Sequence, residues 1–200
     1  MGSTFHCDAA STLRAFVEVG ILGKNAKLAD PSRLKPIDRN NPKMLRVVIE
    51  TPKGSCNKFA FDPSEHIFEL KRVLPSGMAF PYDFGFVPST LAADGDPLDV
   101  LVLMDEPAFP GCVLSCRLIG VIEGEQIEKR QRIRNDRIVA VEQDAHSWSD
   151  IKTVNDLGKK FSRELEEFFV NYHKLSGKKY RILGLGGPGQ ARKLVKASMR

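Results

Sequence analysis

The chain has 200 residues, 42% hydrophobic and 28% charged, a balance that allows one globular domain whose core needs no disulfide or metal staples. No apolar run approaches the length of a membrane span. Residues 1–25 lack the basic start and apolar block of a secretory signal, and Cys7, Cys56, Cys112 and Cys116 show no disulfide spacing. The expectation is a cytoplasmic, reducing setting with no membrane association. A net charge of +5 keeps nucleic-acid binding open as a class, but the basic residues are spread along the chain while the acids gather at 94–106 and 123–128. A basic frame around an acidic pocket equally suits a metal-plus-polyphosphate site.

Residues 1–43 are expected to form an N-terminal arm of unassigned role. It holds a short helix capped by Ser11 and an irregular segment over 26–42, broken by Pro31, Pro36 and Pro42, that either wraps the domain or meets a neighbouring subunit. Residues 44–200 are expected to form a single domain. Short β-branched and aromatic runs over 45–50, 58–61 and 67–73 predict three strands, ended by Pro52 and Gly54 after the first and by Pro75 and Gly77 after the third. The aromatic segment 80–88 is extended, and 98–103 reads as a buried strand. Residues 112–122 and 132–141 flank a polar hairpin around 125–130, with Cys112 and Cys116 as two buried strand thiols. The period then switches: Leu157, Phe161, Leu165, Phe168, Phe169, Tyr172 and Leu175 recur at three- and four-residue steps. That spacing predicts one long amphipathic helix capped by Asn155 or Asp156, with an aromatic stripe facing the core. A strand over 179–185 and a short terminal helix over 190–199 complete the chain. Several short strands closed by one strong helix argue for a barrel or sandwich rather than βαβ repeats.

The chemistry concentrates in Asp94-Gly95-Asp96-Pro97-Leu98-Asp99. Gly and Pro make the backbone a tight corner, and three carboxylates within six residues repel one another unless a cation lies between them. All-oxygen ligands with no Cys or His nearby suit Mg²⁺, Mn²⁺ or Ca²⁺ rather than zinc; the plain alternative is a solvated acidic turn. Gly184-Leu185-Gly186-Gly187-Pro188-Gly189 matches a dinucleotide-binding spacing, but only eleven residues follow it, so it reads as a turn. The four histidines are scattered, and no EF-hand, Walker loop or nucleophile elbow is present.

Phe80-Pro81-Tyr82-Asp83-Phe84-Gly85-Phe86-Val87-Pro88, Thr90-Leu91 and the acidic corner with Val100-Leu101-Val102 together closely resemble the signature of soluble inorganic pyrophosphatases of family I. The likeness runs over about 45–180 and thins after Val141. It implies a mainly β (α+β) fold, an OB-like small β-barrel flanked by helices. It also implies Mg²⁺-dependent hydrolysis of pyrophosphate, with Mn²⁺ as a second option. Carried over residue by residue, it makes Asp94 and Asp99 metal ligands and Asp96 the general base, places Glu50 near further metal ions, and sets Lys58, Arg72, Arg137 and Tyr172 on the phosphates. Taken singly, Lys58 and Arg72 are also ordinary solvated strand charges, Tyr172 the end of an apolar stripe and Glu50 an exposed strand end.

The chain departs from the family pattern at Ala60, Phe84 and His173, and at Asn135, where an aspartate is usual. Asp136 is the favoured replacement ligand, with Glu125, Glu128 or the Asn135 amide oxygen as alternatives. The resemblance further implies a homo-oligomer, a hexamer rather than a dimer, that takes a small-molecule substrate and no nucleic acid. Three other readings stand beside it: a same-fold hydrolase of another phosphoanhydride, an inactive homologue, and a basic OB-type module for single-stranded nucleic acid.

Overall fold

The structure, a computed structural model, describes residues 30–129 and 131–200; the expected Ser11 helix lies outside them. Strand β1 (Leu45–Thr51) is followed by the hairpin β2 (Asn57–Asp62) and β3 (Ile67–Val73), then β4 (Asp83–Phe86) and β5 (Asp99–Leu103). A sixteen-residue strand β6 (Val113–Glu128) leads to β7 (Gln131–Arg134) and β8 (Arg137–Glu142). Helix α1 (Gly158–Lys174), strand β9 (Lys179–Gly186) and helix α2 (Pro188–Ser198) end the chain.

Pairing runs β1–β4–β5–β8–β6, and β6 pairs back to β1, so the sheet closes on itself. Closure leaves no open edge between these strands. β6 makes it possible by pairing with β1 over its first residues, with β8 in the middle and with β9 and β7 at its end, shifting register at Leu118/Gly120 and Glu123/Gly124. Such irregularities bend a strand and change which partner it faces. The β5–β8 pair is parallel and the other pairs in the ring are antiparallel.

Both faces of these strands are covered, which explains their near-continuous apolar runs. Val100, Val102, Ile138 and Ala140 join a cluster with Ala191 and Val195 of α2, while Leu101, Leu103, Val139 and Val141 join another with Phe161, Leu165 and Phe169 of α1. The aromatic stripe of α1 is core as its spacing predicts, except that Leu175 just past the helix is 44% exposed. The helix enters through a 3₁₀ turn (Val154–Leu157), where Asp156 accepts from the backbone N–H of Thr153 (2.8 Å) and Lys152 (2.9 Å). The expected cap residue therefore acts from within the turn, reaching back.

Three local expectations change. The predicted strand over 132–141 breaks at Asn135 and Asp136 into β7 and β8. The glycine-rich segment continues β9 to Gly186 before Gly187 and Pro188 start α2, a proline-first helix entry. Cys116 is buried in β6, whereas Cys112 precedes the strand and is half-buried. Part of the irregular arm packs on the barrel: Arg46 N–H donates to Pro36 O (2.7 Å), Ser89 N–H to Ser32 O (2.8 Å) and Ser115 Oγ to Asp38 (2.6 Å).

Candidate active site

A cleft of about 840 Å³ opens where the end of β1, the β2–β3 hairpin, the corner before β5, the β7–β8 break and the C-terminal half of α1 meet. The first wall is built from Glu50. Its Oε1 accepts from Phe61 N–H (2.9 Å) and its Oε2 from Lys58 Nζ (2.8 Å). Thr51 next to it donates to Phe59 O (3.0 Å) and accepts from Phe59 N–H (3.1 Å), which pins β2 to β1. The Lys58 ammonium lies 4.4 Å from the Phe84 ring centroid, within reach of a cation–π attraction.

The acidic corner is the second wall. Ala92 N–H donates to Asp96 O (2.7 Å) and Gly95 N–H to Ala92 O (3.1 Å), closing a turn in which Gly95 has φ +94°, a conformation a side chain disfavours. The buried Thr90 hydroxyl accepts from Leu98 N–H (3.0 Å) and fixes the turn to the strand behind it. Asp94 and Asp99 are half-buried and face the cleft, while Asp96 stands exposed at its mouth. Burial raises the carboxyl of Asp94 above its ordinary range, against the hydrogen bond from Asp96 N–H. Burial raises Asp99 to about 7, with the charges of Arg137 and Lys58 pulling the other way. Burial thus disfavours the charged form of each group, which a nearby cation would favour.

The third wall is the β7–β8 break. Arg137 is 2% exposed, its guanidinium carbon 4.1 Å from the Phe169 ring centroid and 4.7 Å from that of Tyr180. Its Nε, which has no hydrogen-bond partner among the described residues, lies 3.6 Å from Asp99 Oδ2. Its Nη2 lies 3.5 Å from His173 Nε2. His173 Nδ1 is 2.9 Å from Phe169 O, so the neutral ring donates there and turns its Nε2 lone pair to the arginine. Burial, reinforced by Arg137, lowers the His173 pKa to about 4. Tyr180 stacks on His173 (4.6 Å, 18°) and donates to Asn135 O (3.3 Å). Room for that tyrosine comes from Gly124, where a Cβ would stand 2.0 Å from the hydroxyl.

Glu50, Lys58, Asp94, Asp96, Asp99, Arg137 and Tyr172 all line this cleft, as the sequence led us to expect. Two residues sit differently. Arg72 pairs with Lys58 across the hairpin but is tied to Ser176 Oγ (2.6 Å) beside Tyr172 (5.7 Å to the ring), at the rim. Asp136 turns away: it accepts from Gly124 N–H (2.9 Å) and pairs with Arg134 (2.8 Å). Asn135 takes the cleft position, its amide donating to Asp94 Oδ2 (3.0 Å) and Gln126 Oε1 (3.2 Å). Glu125 pairs with Arg181 and Glu128 with Lys178, and neither acid lines the cleft. Sequence reading overlooked Gln126, Ser176 and Lys178, which also line it; ordinary polar residues carry no local signal.

Among the described residues no three His, Cys, Asp or Glu side chains gather closely enough to hold a metal by themselves. Two carboxylates with open space beside them do fit a hard divalent cation that keeps several waters and completes its shell with substrate oxygens.

The comparisons with known proteins agree with this geometry. The family model described as inorganic pyrophosphatase matches residues 47–200. The chain belongs to the inorganic pyrophosphatase family. The inorganic pyrophosphatase of a Nostoc species is 42% identical over 159 residues, covering 80% of this chain and 92% of that protein. That of a Synechocystis species is 44% identical over 141 residues, covering 70% and 81%. The crystal structure of inorganic pyrophosphatase from Thermus thermophilus superposes with a TM-score of 0.77 at 33% identity, covering 86% of this chain and 97% of that one. The fold of this pyrophosphatase is accordingly the OB-like barrel with flanking helices that its signature implied.

Proposed function

We propose that this pyrophosphatase hydrolyses inorganic pyrophosphate to two phosphates, with Asp96 as general base and Mg²⁺ as the metal. The observation that carries the reading is the facing of two charge sets across one cleft: Asp94, Asp96 and Asp99 on one wall, Lys58 and Arg137 on the others. Pyrophosphate is a compact polyanion, so positioning and charge stabilisation are most of the catalytic task. Lys58 supplies a point charge. Arg137, held between two rings, presents its guanidinium edge in one orientation. Tyr172 and, from the rim, Arg72 complete the grip on the phosphates. Asp94 and Asp99 would hold the metal, with Glu50 close by and Asn135 in the place first given to Asp136. A divalent cation held there would neutralise substrate charge and acidify a water. Asp96, exposed where water enters, accepts that water's proton. Lys58 and Arg137 stabilise the leaving phosphate.

The metal is Mg²⁺, or Mn²⁺ at lower preference, because the donors are carboxylates and water. A reducing cytoplasm suits the free thiols of Cys56, Cys112 and Cys116. A homo-oligomer suits the exposure of Phe109, Val73, Ile67 and Leu70, and its being a hexamer rather than a dimer rests on the family resemblance alone. The test is phosphate release from pyrophosphate with Mg²⁺, repeated with tripolyphosphate and a nucleoside triphosphate. The reading expects pyrophosphate to be preferred and both Ca²⁺ and fluoride to inhibit. A chain that releases phosphate from another anhydride but not from pyrophosphate would overturn it.

A further inference from the structure

The β2–β3 hairpin is a two-stranded sheet of its own, outside the closed ring. Its base joins the barrel through Thr51 with Phe59 and through Glu50 with Lys58 and Phe61, and Arg72 adds the tie to Ser176. A lone hairpin holds its shape only marginally, so contacts at its tip set where the tip sits. One such contact comes from the arm: His66 Nδ1, at the tip, lies 3.5 Å from Asp30 Oδ2. The Asp30 carboxylate also accepts from Ser32 N–H (2.9 Å) and Ser32 Oγ (2.6 Å) and pairs with Arg33 Nε (3.0 Å), which winds Pro31–Arg33 into a 3₁₀ turn. The other end of that turn belongs to the opposite wall. Ser89, just before the acidic corner, donates its N–H to Ser32 O (2.8 Å) and its hydroxyl to Leu34 O (3.0 Å). Residues 30–34 therefore run from the hairpin tip to the wall that carries Asp94, Asp96 and Asp99, and Asp30, Ser32 and Arg33 line the cleft there.

This end of the cleft is remote from the phosphate grip. Asp62, where β2 reaches the tip, stands four residues beyond Lys58, roughly 13 Å along the strand at about 3.3 Å per residue. A cleft of about 840 Å³ is the size that takes drug-sized ligands, more than compact pyrophosphate fills. A group attached to a terminal phosphate must use the remaining room. We propose that residues 30–34 are a strap that fastens the hairpin tip to the acidic-corner wall and bounds that room, favouring unsubstituted pyrophosphate over anhydrides that carry a further group on a terminal phosphate. The inference rests on the pyrophosphate reading above and adds its size limit. The strap precedes residues 47–200, the stretch matched by the family model. Asp30, His66 and Ser89 are positioning residues: they hold the two walls, while the ties at the hairpin base keep Lys58 in place when the tip is freed.

Both anchors can be cut without altering the grip. His66 and Ser89 have φ of +57° and +52°, which glycine adopts readily, so the double variant His66→Gly, Ser89→Gly removes an imidazole and a hydroxyl and suits the backbone. Asp30→Lys is an independent variant that sets a like charge against Arg33. In the full chain with Mg²⁺, kcat/KM is measured for pyrophosphate, tripolyphosphate and a nucleoside triphosphate. Both variants are expected to keep the pyrophosphate value within about twofold. For the two larger substrates they are expected to raise it roughly tenfold, the scale on which a pocket discriminates by fit. Fluorescence anisotropy of a ribose-labelled β,γ-imido nucleoside triphosphate, which needs no turnover, should show tighter binding by a similar factor. Unchanged selectivity and unchanged analogue binding in variants that circular dichroism shows to be folded overturn the strap. An equal loss of activity on all three substrates also overturns it, since that is the mark of a purely structural segment. A chain that releases no phosphate from pyrophosphate refutes the hydrolytic reading, whereas tighter analogue binding by its variants still supports the strap.

Discussion

Asp96 is an exposed acid of the cleft whose carboxylate has no side-chain partner among the described residues, the arrangement a general base needs to meet water. Asp96→Asn is expected to lower phosphate release by roughly 10²–10⁴-fold, the usual contribution of a positioned base, while the unfolding midpoint stays put. Wild-type turnover in that variant would remove Asp96 from the mechanism. His173 acts at one remove, through Arg137. Its pKa falls to about 4 on folding from an ordinary 6.5, so the unfolded chain binds the proton first as pH drops. Its contribution to stability is present above 6.5 and is lost as pH falls from there toward 4. His173→Phe keeps a ring against Tyr180 but removes both nitrogens. Urea unfolding is expected to show it about 1 kcal/mol less stable at pH 7, with the gap closing toward pH 4. Asp83 and Asp99, raised to about 6 and about 7, work in the opposite direction in both chains and drop out of the comparison. A gap that stays constant with pH would show that His173 is not neutral in the folded chain.

At the scale of elements, the site depends on how β6 is bent. The register shift at Glu123/Gly124 lies within the β6–β9 ladder, just past the end of the β8 pairing at Ile122, and Gly124 there accepts from Asn135 N–H (2.9 Å) and leaves space for Tyr180. Gly124→Ala would place a methyl inside that hydroxyl. Because Tyr180 is one jaw of the clamp on Arg137, the substitution is expected to cost about 1–3 kcal/mol of stability by overpacking and to weaken substrate binding together with it. Thermal unfolding and a KM measured on the folded fraction check both halves. A stable variant with unchanged KM would show that the clamp does not depend on this contact.

At the scale of the molecule, the closed ring serves as a rigid frame on which segments distant in sequence meet. Glu50, Lys58, Asp94–Asp99, Asn135 with Arg137, and Tyr172 come from five stretches of chain and share one cleft. Metal and anion bound in this cleft stabilise the fold in proportion to their occupancy of the folded state. Both together at a hundredfold excess over their joint dissociation constant should raise it by about 5 °C or more. An unchanged unfolding temperature with both present would show that the cleft binds neither.

By itself the sequence determined the acidic corner, the strands and the long helix. Turn chemistry at Gly95 and Pro97, and the change of period from the β-runs to α1, are local properties that neighbouring residues dictate. It also carried the likeness to the pyrophosphatases, because the signature lies in one continuous stretch. What only the tertiary structure decided is which polar side chain turns inward. Asn135 and Asp136 are adjacent, and the choice between them is made by a break between β7 and β8 and by Arg134 and Gly124 N–H, which hold Asp136 on the far side. Arg72 lies at the rim because Ser176, 104 residues away, takes its guanidinium. His173 meets Arg137 as a neutral acceptor because burial beside that guanidinium disfavours a second proton. Such outcomes depend on contacts across the fold, and no spacing along the chain encodes them.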